Sequence, residues 1–152
     1  METQRANRNL TEMLADWGPE VKIRWKIVAD REVTLSDLEN NNLVLVGNST
    51  INQLVARMKE KLPIEEQANR LKAADESVTG KNATYRLICP NPLAQNRYVY
   101  IFGAGTAVGL GNLARLEQKT KSPYQNADFL LLDEIGTVKL AGAFKDRWRI
   151  GE

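Results

Sequence analysis

The sequence predicts an α/β domain: a three-layer, Rossmann-like fold with a mainly parallel sheet and a hairpin added at the C-terminal end. Three observations carry this. Tyr98–Leu116 (YVYIFGAGTAVGLGNLARL) reads as a buried strand, a glycine turn and the start of a helix. Asn42–Met58 has the same design, with NLVLVG followed by NST and a helical run. Phe129–Leu132 is a further continuous apolar stretch, as expected of a strand covered on both faces. The expected parallel strands are Val21–Val28, Leu43–Val46, Tyr98–Phe102 and Phe129–Leu132.

At 152 residues the chain suits one domain, residues 1–152, with room for a sizeable core. Its net charge of +2 comes from 21 basic and 19 acidic residues that are well mixed, which argues against nucleic acid or an anionic membrane as partner. No apolar run approaches the ~20 residues that a membrane helix needs, so no membrane insertion is expected. The opening METQRANRNLTEML has no apolar export core. A single cysteine, Cys89, excludes an internal disulfide framework. Histidine is absent altogether. Mechanisms built on a Ser–His or Cys–His pair are therefore excluded from this chain, as are zinc sites built from His and Cys. Carboxylates and lysine remain as general bases, but the commonest one is missing. No catalytic residue, metal ligand or cofactor is assigned.

Taken in order, residues 4–17 read as a helix with Leu10, Met13, Leu14 and Trp17 on one face, stopped by Gly18-Pro19. Val21–Val28 alternates apolar and basic residues, as a half-exposed strand near a sheet edge does. Thr34 and Asp37 match a capped helix start, and Asn40-Asn41-Asn42 ends that helix. After the strand Leu43–Val46, the turn Gly47–Thr50 leads into a stripe of Ile51, Leu54, Val55 and Met58, with Thr50 and Gln53 as a capping box. Residues 64–82 are polar and read as an exposed, partly helical excursion ending in the turn Thr79–Asn82. Thr84–Cys89 is a strand, and Pro90-Asn91-Pro92 forces a turn because both prolines lack a donor. Val108–Leu116 is a helix. Glu134–Gly136 is a tight turn between the apolar strand and a last strand, Thr137–Phe144, together forming the hairpin. Trp148 lies in an exposed tail that folds back or marks an interface.

Gly103, Gly105 and Gly109 form G-x-G-x-x-x-G at a strand-to-helix junction. Such glycines admit close approach, and a helix N-terminus offers N–H groups to an anion. Asn48, Ser49 and Thr50 stand beside them if their two strands are neighbours. The candidate ligand-binding residues are therefore Asn48, Ser49, Thr50, Gly103, Gly105 and Thr106, in a cleft at the carboxyl ends of the strands. The simpler reading is that the glycines serve tight turns and helix–sheet packing, since a dinucleotide fingerprint belongs after the first strand. Gly47-Asn48-Ser49 lacks the closing glycine and the histidine of a nucleophile elbow, so Ser49 reads as a turn hydroxyl. Asp128, Asp133 and Glu134 cluster near a strand end, where carboxylates hold cations or, more simply, close a turn.

Three segments together resemble a known family. These are Asp30–Thr34 leading to Asn42–Gly47, then Cys89–Leu93 leading to Arg97–Ile101, then Asp128–Asp133 with Ala141–Phe144 and Trp148. They look like the C-terminal α/β domain that follows the catalytic domain in large bacterial prolyl-oligopeptidase-like proteins of the α/β-hydrolase superfamily. The resemblance implies a non-catalytic accessory or binding domain, whose partner is a hydrolase catalytic domain in cis or in trans. In that family the triad lies in the preceding domain, so no catalytic residue carries over. The family domain usually opens with a strand and a glycine turn before its first helix, whereas this chain starts at that helix. It is then either a fragment of a larger protein or a sheet without that strand. Parents of this family are generally exported, which implies an extracytoplasmic location for such a fragment. The alternative function is a small nucleotide- or phosphate-binding enzyme that uses the Gly103–Gly109 turn.

Overall fold

The computed structural model describes residues 1–15, 25–118 and 122–145. Over these the chain runs α1 (Glu2–Ala15), α2 (Leu35–Asn40), β1 (Leu43–Val46), α3 (Gln53–Met58), β2 (Glu65–Gln67), β3 (Arg70–Ala73), β4 (Glu76–Thr79), β5 (Thr84–Pro90), β6 (Tyr98–Gly103), α4 (Ala107–Glu117), β7 (Phe129–Leu132) and β8 (Val138–Gly142). Short 3-10 turns cover Asp30–Glu32 and Lys59–Lys61. The fold is mixed α/β, with a five-stranded sheet ordered β1-β6-β5-β7-β8 and a three-stranded sheet ordered β2-β3-β4.

The large sheet is not mainly parallel. Only β1 and β6 pair in parallel, while β5 runs antiparallel to both β6 and β7, and β7 antiparallel to β8. The cause lies in the link between β5 and β6. A parallel return needs about a dozen or more residues, usually with a helix. Residues 91–97 are too few for that, and the Asn91 N–H donates to the Arg97 carbonyl at 2.7 Å to close the hairpin. The strand β5 therefore lies between β6 and β7, two of the strands expected to be parallel members of the sheet. The strands β1, β6 and β7 still share one direction, so their carboxyl ends gather at one edge. The hairpin β7–β8 closes the opposite side of the sheet, as the sequence predicts.

Alternation along each strand builds two cores. Leu45, Val99, Ile101, Tyr85, Leu87, Cys89, Phe129 and Leu131 face α2, α3 and the small sheet. Val46, Phe102, Leu130 and Leu132 face α1 and α4, where they meet Leu10, Leu14, Leu110, Leu113 and Leu116. Both faces of the central strands are thus covered, and this explains their continuous apolar runs. Thr34 and Asp37 form the expected capping box, with the Asp37 N–H donating to Thr34 Oγ1 at 3.1 Å and the Thr34 N–H to Asp37 Oδ2 at 2.9 Å.

Several expectations need correcting. The second helix stripe begins at Gln53, and its cap is Asn52, whose Oδ1 accepts from the N–H groups of Leu54 and Val55; the box of Thr50 with Gln53 does not form. Ile51 remains 38% exposed because it sits in the turn before the helix. Residues 64–82 are a three-stranded antiparallel meander instead of a partly helical excursion. Leu71, Ala73 and Val78 form its buried face, and Ala74, at φ 52°, makes the turn between β3 and β4. Polar composition hid a period of two that is carried by only these few side chains. In the Val21–Val28 stretch, Val21–Arg24 lie outside the described residues, and Trp25–Val28 form no strand. Trp17 and Trp148 also lie outside the described residues.

Leu87 stands at the centre of β5. Leu87 is wholly buried between the two neighbouring strands, so Leu87→Ala is expected to cost about 2–5 kcal/mol in urea unfolding. Leu35→Ala, at a site 72% exposed, is expected to stay within about 0.5 kcal/mol of the unmodified protein.

Candidate functional site

At the shared carboxyl edge the β1–β6 ladder continues past the strands. The Gly47 N–H donates to the Phe102 carbonyl at 2.9 Å and the Asn48 N–H to the Ala104 carbonyl at 3.0 Å. Gly47 makes the sharp exit from β1 at φ +112°, a conformation that L side chains rarely adopt. The turns 47–52 and 103–106 therefore stand side by side, and the six candidate residues Asn48, Ser49, Thr50, Gly103, Gly105 and Thr106 are brought to one place.

The glycines of this edge lie against other parts of the chain. The Tyr85 ring occupies the space beside Gly103 that a side chain there would need. A Cβ on Gly105 would come within 2.7 Å of Asn48 Nδ2. A Cβ on Gly109, in the first turn of α4, would lie 2.8 Å from Thr84 Cγ2, so this glycine lets the helix sit down on β5.

The polar groups are likewise engaged with one another. Asn48 Oδ1 accepts from the Thr50 N–H at 3.1 Å and the Thr50 hydroxyl at 2.6 Å, an Asx turn. The Ser49 N–H donates to Glu66 Oε2 at 2.9 Å, and the Tyr85 hydroxyl donates to the other oxygen of the same carboxylate. Burial, and then the adjacent Glu66 charge and hydrogen bond, push the Tyr85 pKa well above its ordinary value. Thr106 caps α4 by accepting from the Gly109 N–H at 3.1 Å, and its hydroxyl donates to Asn82 Oδ1 at 2.8 Å. Asn82 in turn donates to both oxygens of Glu134, from its N–H at 2.9 Å and from Nδ2 at 2.7 Å.

The carboxylates after β7 act in the turn. Asp133 Oδ1 accepts from the N–H groups of Ile135 and Thr137 at 3.1 and 2.9 Å, while Oδ2 faces Lys139 Nζ at 3.4 Å. The Thr137 N–H is the main cause of a lowered Asp133 pKa. Gly136, at φ +85°, completes the turn above Asn112 of α4. Asp128 stands at the other end of β7, where Oδ2 accepts from the Phe144 N–H at 2.8 Å, so the three acids do not converge. Among the described residues no group of three His, Cys, Asp or Glu side chains is placed to hold a metal.

Sequence reasoning missed Glu66, Asn82 and Tyr85 in this constellation. Glu66 belongs to a strand of the small sheet and Asn82 to the turn beyond it, so only the tertiary fold brings them to the edge. Tyr85 offered a weak hint, as a hydroxyl within an expected strand.

Three variants probe this edge. Tyr85→Phe deprives Glu66 of a buried donor and is expected to lower stability by about 1–3 kcal/mol. Thr106→Ala removes a helix cap together with its bond to Asn82 and is expected to cost about 1–2 kcal/mol. Asp133, with a folded pKa below its ordinary 3.8, contributes stability that is fully present above that value and lost as the pH falls through the folded pKa. The melting-temperature difference between the unmodified protein and Asp133→Ala should therefore be constant near neutral pH and shrink below pH 3.8.

Comparison of the chain with protein-family models, with curated proteins and with solved structures finds no match.

Proposed function

We propose that this chain is a non-catalytic accessory or binding domain of a hydrolase- or peptidase-like protein, and that the reaction belongs to a separate catalytic domain in cis or in trans. The observation that carries this reading is the closed hydrogen bonding of the carboxyl edge. Asn48 with Thr50, Glu66 with Tyr85, and Thr106 with Asn82 and Glu134 are engaged in hydrogen bonds, and no serine or threonine hydroxyl among them is paired with a base. The absence of histidine from the sequence points the same way.

A groove beside β1 supports this reading. A groove of about 1450 Å³ runs between α1, β1 and residues 25–33, lined in part by Trp25, Ile27, Val28, Val44 and Tyr98. Trp25, Ile27 and Tyr98 are each more than two-fifths exposed there, and exposed apolar side chains gathered on one face commonly meet a partner.

The nucleotide- or phosphate-binding alternative would use the Gly103–Gly109 turn and the start of α4. It must contend with Tyr85, Asn48 and Thr84, which already fill the space beside Gly103, Gly105 and Gly109. A thermal-shift screen with NAD(P), flavin, ATP and inorganic phosphate separates the readings. The accessory reading expects no change in melting temperature, and a saturable increase that is lost in Gly105→Val would support the enzyme instead. The accessory reading further expects a hydrolase domain encoded in frame with this chain or in a neighbouring gene. Genomic DNA with neither would overturn it.

A further inference from the structure

We infer that Arg86 is a register pin: its buried guanidinium selects the one alignment in which β7 joins the sheet. The problem it solves is visible in β7 itself. All four residues, Phe129–Leu132, are buried and apolar, and they supply both cores. Register is ordinarily fixed because a slip would carry polar side chains into the core and apolar ones out. An all-apolar strand covered on both faces lacks that safeguard. A slip of two residues, roughly 6.6 Å along the strand, returns every side chain to its own face.

Arg86 lies on the α4 face of β5, opposite Leu130, and is 3% exposed. Its guanidinium reaches three groups outside the strand. Nη2 donates to the carbonyls of Tyr124 and Ala127 at 2.7 and 3.0 Å, and Nη1 donates to Glu117 Oε1 at 2.6 Å. Glu117 is the last residue of α4, and its side chain is 6% exposed. The guanidinium also lies 5.9 Å from the Tyr100 ring centroid. The fork thus grips the end of the preceding helix and two carbonyls of the segment that delivers the chain to β7. A slipped β7 would pull Ala127 away and take an acceptor from a buried cation whose Nε already has none, which is far costlier than a change of apolar neighbours.

The rest of the junction is arranged to agree with this alignment. The Ile88 N–H donates to the Asp128 carbonyl at 2.8 Å, and the Asp128 N–H donates to the Gly142 carbonyl at 2.8 Å. Those bonds are generic backbone pairing, which any register can reproduce with different partners. The guanidinium fork is the component specific to one register. A buried ion pair is weak support for stability as such, because apolar replacements of similar volume often do as well. Its value here is the discrimination between alignments.

The test uses the full chain with backbone hydrogen exchange and cross-strand NOEs measured by NMR. In the double variant Arg86→Met with Glu117→Leu no lone charge is left buried. Exchange in β7 and β8 should accelerate at least tenfold relative to β1 and β6, and the NOEs between Tyr85 and Leu131 should weaken or be joined by those of slipped pairs. Arg86→Lys keeps the charge opposite Glu117 without the planar fork. It should show the same selective loosening, and it keeps the inference testable if the double variant does not fold. Native NOEs with unchanged exchange, or with exchange raised uniformly over the whole sheet, in either variant would overturn the inference.

Discussion

The structure depends on the antiparallel placement of β5. Residues 91–97 allow no crossover, so β5 must lie alongside β6 in the opposite sense, and one edge of β6 is thereby taken. With β1 on the other edge of β6, the next strand can join only at the outer side of β5 or beyond β1. It takes β5, and the directions of β7 and β8 follow. Both cores then form on the two faces of one central strand. Tyr85, Leu87 and Cys89 point to one, while Thr84 and Arg86 point towards α4.

That arrangement leaves an edge rich in polar groups above an interior rich in leucine. At the carboxyl ends of β1, β6 and β7 the backbone turns abruptly, and turns expose N–H groups that must be satisfied. Side-chain oxygens of Asn48, Asn52, Glu66, Thr106, Asp133 and Glu134 meet many of them. Glu66 and Asn82 also tie the small sheet and its exit to the large one. The edge is thus a seam between layers as well as a set of turns. A site of this kind is held in place by satisfied bonds, and a ligand entering it would have to replace them with bonds of its own.

Much of the architecture was legible in the sequence. Continuous apolar runs gave β1, β6 and β7, and the turn Glu134–Gly136 gave the final hairpin. The conditional expectation that the turns around Asn48 and Gly103 meet follows from the one parallel pair that forms. The error in sheet type was avoidable, since the length of the Pro90–Arg97 link already excludes a parallel return. Other features were not local. The small sheet has a buried face of three side chains, too few to stand out from its charged neighbours. Arg86 sits in TYRLIC, and nothing adjacent in sequence announces its partners at positions 117, 124 and 127. The cap on α3 was misplaced by two residues because Asn52 and Thr50 are both good cap formers.

The order in which the two edges of β5 are filled has a bearing on synthesis. The hairpin with β6 closes over a short loop and can form within microseconds of both strands leaving the ribosome, on the order of 1–10 μs for such an element. Its other edge waits for Phe129–Leu132, which are translated only after α4 and the segment that follows it. During that interval the nascent chain carries a half-finished sheet with an open row of N–H and C=O groups, the kind of template on which two growing chains can pair.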